Sequence, residues 1–170
     1  MKTILLAAVL LVGSNVAPSL RACIEENEQQ LDKRFGEPVK TVPVASLPRE
    51  QVMRVYTSGG YTITAFLVKG AGDGRNHYYC EWEKFEKGQK KIDDADARLL
   101  LRRGFGQRTL HSMPAVNGNQ VWYVYNRDAV AFLTPARSQM IFSSKSYYED
   151  FWRPSLHKKP GTKTLGRIGI

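Results

Sequence analysis

An α+β fold, an antiparallel β-sheet with its helices mainly on one face, is predicted by three features of this 170-residue chain. Two trios of β-rich runs stand out, at 52–57, 61–68 and 77–85 and again at 120–125, 129–134 and 139–143. The runs inside each trio are joined by turn chemistry: Gly59-Gly60, the loop Gly70-Ala-Gly-Asp-Gly74, Asn126-Arg-Asp128 and Pro135-Ala-Arg137. Each trio is preceded by a helical pattern that a glycine closes.

The first helix is expected over 23–36. Glu25, Glu26 and Glu28 precede Lys33 and Arg34, each sign matching the helix dipole. Ile24, Leu31 and Phe35 form a narrow apolar stripe, and Gly36 with Pro38 stops the helix. Residues 39–49, with Pro43 and Pro48, read as an extended connector. In the hairpin 61–82 the second arm alternates, so Tyr78, Cys80 and Trp82 should face the core and Tyr79, Glu81 and Glu83 the other side. A second helix is expected over 93–103, capped by Asp93 or Asp94, buried through Ala95 and the leucines at 99, 100 and 101, and stopped at Gly104. Ser146-Tyr-Tyr-Glu149 has the pattern of a capping box for a last short helix ending near Trp152.

The order helix–strand–strand–strand thus occurs twice, with Arg34-Phe35-Gly36 and Arg103-Gly104-Phe105-Gly106 at corresponding places. Duplication would divide the domain, residues 23–152, into halves 23–91 and 92–152. Chance recurrence of a simple helix-plus-meander unit explains the same pattern. Either way, helices on one face leave the other open to water or to a partner.

Residues 1–22 read as a secretory signal peptide: Lys2, an apolar run at 4–12, then small residues, too short to span a bilayer. Ala17-Pro-Ser19 places cleavage before Leu20. Leu20-Arg-Ala22 before Cys23 loosely resembles a lipobox, against which Arg21 and the polar stretch before it speak. The expected location is extracytoplasmic, periplasmic or secreted. In an oxidising compartment the two cysteines, Cys23 and Cys80, read as one disulfide closing a long loop, worth about 4 kcal/mol by chain entropy. The alternative lipidates Cys23 and leaves Cys80 free. The net charge of +9 is unevenly placed. Without Lys2 and Arg21 it is +7, and five of those charges belong to residues 153–170, read as a disordered basic tail.

A helix ending Arg-Phe-Gly-Glu-Pro, a strand with Tyr56, and Gly60-Tyr-Thr-Ile-Thr-Ala-Phe66 leading to a strand cysteine resemble small exported bacterial proteins. Their helix-and-sheet module is that of the outer-membrane assembly lipoproteins of the SmpA/OmlA type, of which the β-lactamase-inhibitor protein carries a tandem version. The resemblance covers roughly 23–101. It implies a protein-binding or envelope-associated role without catalysis.

The residues themselves point away from familiar chemistry. His77, His111 and His157 form no metal-ligand spacing, so no metal or other cofactor is expected. The loop at Gly70–Gly74 leads into a strand and lacks the following helix N-terminus of a phosphate loop. There is no G-x-S-x-G elbow, and Cys80, flanked by inward aromatics, lacks the electropositive setting of a nucleophile. Glu81 and Glu83 beside Lys84 and Lys87 read as solvated surface. The faint order of a double-stranded-RNA-binding domain fails because Asp93, Asp94 and Asp96 stand where phosphate should dock, so no nucleic-acid partner is expected. What remains is aromatic: Tyr79, and Trp122 with Tyr123, put rings on both sheet faces as candidate interaction residues. The expected function is an exported, non-catalytic interaction or envelope protein; the alternative is a secreted hydrolase-type enzyme with an unrecognised site. The expected partner is another envelope or extracellular protein, with a membrane engaged only through a lipid on Cys23 or through the basic tail.

Overall fold

The computed structural model describes residues 24–44, 49–70, 77–124 and 129–156. The expected signal peptide, Cys23, most of the loop at 70–74, the turn at 126–128 and residues 157–170 lie outside the described residues. The chain order is α1 (Glu28–Phe35), β1 (Lys40–Val44), β2 (Gln51–Ser58), β3 (Tyr61–Lys69), β4 (Tyr78–Glu86), α2 (Asp94–Phe105), β5 (His111–Val116), β6 (Asn119–Tyr123), β7 (Ala129–Leu133) and β8 (Gln139–Ser144). A helical segment over 145–156 closes it: α3 (Lys145–Tyr147), a π-helical turn (Tyr148–Trp152) and α4 (Arg153–Leu156).

All eight strands form one antiparallel sheet in the order β1-β2-β3-β4-β8-β7-β6-β5. A helix followed by a four-strand meander occurs twice, and the two meanders meet last strand to last strand. This is the order that a local two-fold axis normal to the sheet, between β4 and β8, would generate. The halves are not separate bodies, because one hydrophobic cluster takes Leu31, Tyr56 and Ile63 from the first and Leu100, Phe105 and Phe142 from the second.

Two strands escaped the sequence reading. β1 occupies what looked like a connector, and β5 lies in the Pro/Asn/Gly-rich stretch before β6. Each carries a proline, Pro43 and Pro114, and each lies at one edge of the sheet. Proline lacks the N–H a central strand must donate, but an edge strand can spare it, and the loss discourages further strand pairing.

The helices also differ in detail. α1 begins at Glu28, not at 23, because Asn27 caps it in a reciprocal pair with Gln30 (3.0 and 2.9 Å). The preceding residues instead hydrogen-bond to β4, Glu25 N–H to Cys80 O at 3.0 Å and Cys80 N–H to Glu26 O at 2.9 Å. α2 is capped by Asp93 as expected but runs through Gly104 to Phe105, with Gly106 (φ 68°) as its stop. Gly104 is there for packing: an added Cβ would come within 3.0 Å of three atoms of the Phe142 ring. The last helix is capped by Ser144, whose Oγ accepts from Tyr147 N–H at 3.2 Å, rather than by Ser146. It continues past Trp152 to Leu156, so the basic tail does not begin at Arg153.

α1 and α2 cover one face of the sheet. Leu31 and Phe35 pack with Tyr56, and Leu100, Leu101 and Phe105 with Phe142 and Leu133. Asp32 fastens α1 by accepting from Arg54 Nη1 (2.9 and 2.8 Å) and from the hydroxyl of the fully buried Tyr56 (2.9 Å). Burial, ahead of the neighbouring carboxylate, holds the Tyr56 pKa far above that of a free tyrosine. The segment 145–156 crosses the opposite face. There Tyr148, Trp152 and Leu156 pack on Val121, Val130, Phe132 and Ile141.

Candidate functional site

The hairpin 61–82 is where the sequence reading and the fold part most clearly. Phe66 pairs with Trp82, but Leu67 pairs with Cys80, so Glu81 is an extra residue on β4. Such a bulge inverts the alternation beyond it. Cys80 keeps to the helix face with Tyr78, while Trp82 turns to the opposite face, where it stacks on Phe66 at 5.4 Å and meets Trp152 edge-on at 5.9 Å. Glu83 then falls on the helix face and is fully buried, where solvated surface was expected.

The bulge also opens a cleft of about 520 Å³. β4 and β8 pair from Trp82–Ser143 to Glu86–Gln139 and then separate, β4 going to residues 25–27 and β8 into α3. Glu25, Tyr79, Cys80, Glu81, Ser144 and Glu149 line the gap. The Ser144 hydroxyl donates to Glu81 Oε2 at 2.5 Å while its oxygen accepts the capping N–H of Tyr147. A serine so engaged closes a helix end, and among the described residues that line the cleft there is no imidazole.

The candidate interaction residues do not form one surface. Tyr79 lines the cleft on β4. Trp122 and Tyr123 lie three strands away on β6, on opposite faces: Trp122 borders the helix-side core and Tyr123 tilts against His111 at 5.4 Å. All three are partly buried. His77 lies against Glu28 at 3.5 Å. Among the described residues no group of three His, Cys, Asp or Glu could hold a metal ion.

Sequence reasoning missed the surface that is open. On β1–β3 the side away from α1 and α2 carries Val42, Val44, Met53, Val55, Thr64 and Val68, all keeping solvent exposure, with Phe66 alone buried. Beside them stands an aromatic ledge, Phe151 stacked on Tyr147 at 4.3 Å and Tyr147 against Phe66 at 5.5 Å. Phe151 is 57% exposed. The corresponding side of β6–β8 is the reverse, with Val121, Val130, Phe132, Ile141 and Ser143 all buried beneath the segment 145–156. Tandem patterning could have suggested two such faces, but only the docked segment distinguishes covered from uncovered.

No family model, no curated protein and no solved structure matches this chain. Among the described residues no helix is long and apolar enough to cross a membrane.

Proposed function

We propose that the chain is an exported, non-catalytic protein-interaction module of the cell envelope or extracellular space, contacting its partner through the uncovered face of β1–β3. The resemblance to the SmpA/OmlA-type module and to the tandem inhibitor protein belongs to the same reading. One observation carries it: of two corresponding sheet faces, the fold seals one under Tyr148, Trp152 and Leu156, while among the described residues no segment lies across the other. The open face carries β-branched residues and Met53, with Lys40 and Gln51 on the same side, and is bordered by Tyr147 and Phe151, with the aromatic and Met enrichment of protein contacts. Its occupant is another folded protein presenting an apolar element, as the C-terminal segment does for β6–β8.

A Cys23–Cys80 bridge suits this role by holding the chain before α1 against β4. Support comes from the hydrogen bonds between Cys80 and Glu25 and Glu26, which bring the residues just after position 23 to the strand that bears Cys80.

The test is a photo-crosslinking amino acid placed in turn at Val42, Met53 and Val55, with Gln30 and Lys33 on α1 as controls, in the native host. The sheet positions should give an adduct with one other protein, abolished by Val55→Glu, and the helix positions should not. Equal adducts from α1, or none from the sheet, would refute the assignment. An adduct with a second copy of this chain would make the face a self-association surface instead.

A further inference from the structure

We propose that the outward face of α2 is a docking surface for an anionic phospholipid bilayer, separate from the sheet face above and independent of that reading. No acidic residue occurs between Asp96 and Asp128, while Arg98, Arg102, Arg103 and Arg108 fall in this stretch. Elsewhere among the described residues arginines have carboxylate partners: Arg34 with Glu26, Arg54 with Asp32, Arg137 with Asp94 and Arg153 with Glu149. Arg49 is the exception. The four between 98 and 108 form no ion pair with any described residue. The nearest helix carboxylates are already engaged, Asp94 by Arg137 and Asp96 by Lys87 and Tyr61.

At roughly 100° per residue, Arg98, Arg102, Leu99 and Arg103 occupy one arc of about 140° on the helix. Ala97, Leu100, Leu101 and Gly104 on the remaining arc are buried against the core, while Arg98, Leu99 and Arg102 are exposed and Arg103, near Tyr61 at the edge of the arc, is half-buried. Leu99, 39% exposed, sits within it between Arg102 and Arg103. On a solvated face a leucine adds helix propensity and nothing more. A bilayer uses it, because phosphates take the guanidinium groups bidentately while the leucine enters the acyl boundary. A purely acidic polymer would satisfy the charges and leave Leu99 unused.

The experiment measures partition of the purified protein onto vesicles of phosphatidylglycerol and phosphatidylcholine. Each arginine near an anionic surface is worth about fivefold in partition, so the triple variant Arg98→Gln, Arg102→Gln, Arg103→Gln should bind about a hundredfold more weakly. Leu99→Ser should weaken binding about tenfold. A charge-matched control, Lys33→Gln, Lys40→Gln, Lys90→Gln, should lose far less, and thermal melts should show all variants folded. A chain ending at Leu156 carries the same comparison with residues 157–170 removed. The proposal is overturned if the arginine variant loses no more than the control. It is equally overturned if Leu99→Ser binds as the parent does while soluble polyglutamate competes fully, since the surface would then take an acidic polymer.

Discussion

Replacing Gly104 with alanine sets helix propensity against packing. Inside α2, alanine is favoured over glycine by about 1 kcal/mol. The added methyl, however, is aimed at the ring of Phe142, with three ring atoms within 3.0 Å. That ring is 1% exposed and is held between Phe85, edge-on at 5.8 Å, and Phe105 at 5.4 Å. It cannot swing aside without displacing one of them, so α2 must lift and loosen Leu100, Leu101 and Phe105 from the sheet. With the nearest ring atom well inside 3.0 Å, the overpacking cost lies in the upper part of the usual range, about 2–3 kcal/mol, and the balance is a net loss of about 1–2 kcal/mol. Urea unfolding with a common m-value measures it. Phe142→Leu removes the obstructing ring edge, so the double variant should be no less stable than Phe142→Leu alone, a coupling of about 1 kcal/mol or more. A Gly104→Ala protein as stable as the parent, or more so, would show that the contact with Phe142 is slack and that helix propensity decides the site.

Three further outcomes are expected. Ending the chain at Ser144 should abolish cooperative unfolding, because Val121, Val130, Phe132 and Ile141 lose their cover, whereas ending it at Leu156 should leave the melting temperature nearly unchanged; Trp152→Ala should cost about 2–3 kcal/mol. Asp96 is partly desolvated, which raises its pKa, but Lys87, Tyr61 and the Asp93 N–H together bring it below the usual 3.8. A depressed folded pKa contributes stability above the unfolded value that disappears as pH falls through the folded one, so urea midpoints should drop below about pH 4 and Asp96→Asn should flatten that acid limb; an unchanged limb would place the loss elsewhere. For the cysteine pair, the intact mass should be lighter by two hydrogens and reduction should lower stability by about 2–5 kcal/mol. Thiol labelling of Cys80 in unfolded, unreduced protein would eliminate the bridge.

What the amino-acid sequence determined by itself depends on neighbours a few residues apart. The cap at Asp93, the stop at Gly36, the Gly59-Gly60 turn and the β-rich runs were legible because each is decided within one turn of chain. Other local signals went unread or were displaced: the capping pair Asn27 and Gln30, the cap at Ser144, the stop at Gly106, and Asn117-Gly118, both at positive φ, whose hairpin chemistry marks β5 and β6 as a pair despite Pro114. The remaining features were settled by residues far apart in sequence. Pro43 is acceptable only because β1 lies at an edge, and the edge is set by where β4 meets β8. The inversion that separates Trp82 from Cys80 depends on register with β3, since a single extra residue is invisible to alternation read along one strand. Arg153–Leu156 looks like the start of a polar tail, yet Leu156 joins the second core cluster because the sheet offers an apolar face at that distance. The open face of β1–β3 is of the same kind: its valines fit a strand in any setting, and only the C-terminal segment, by lying over the other half, leaves them uncovered.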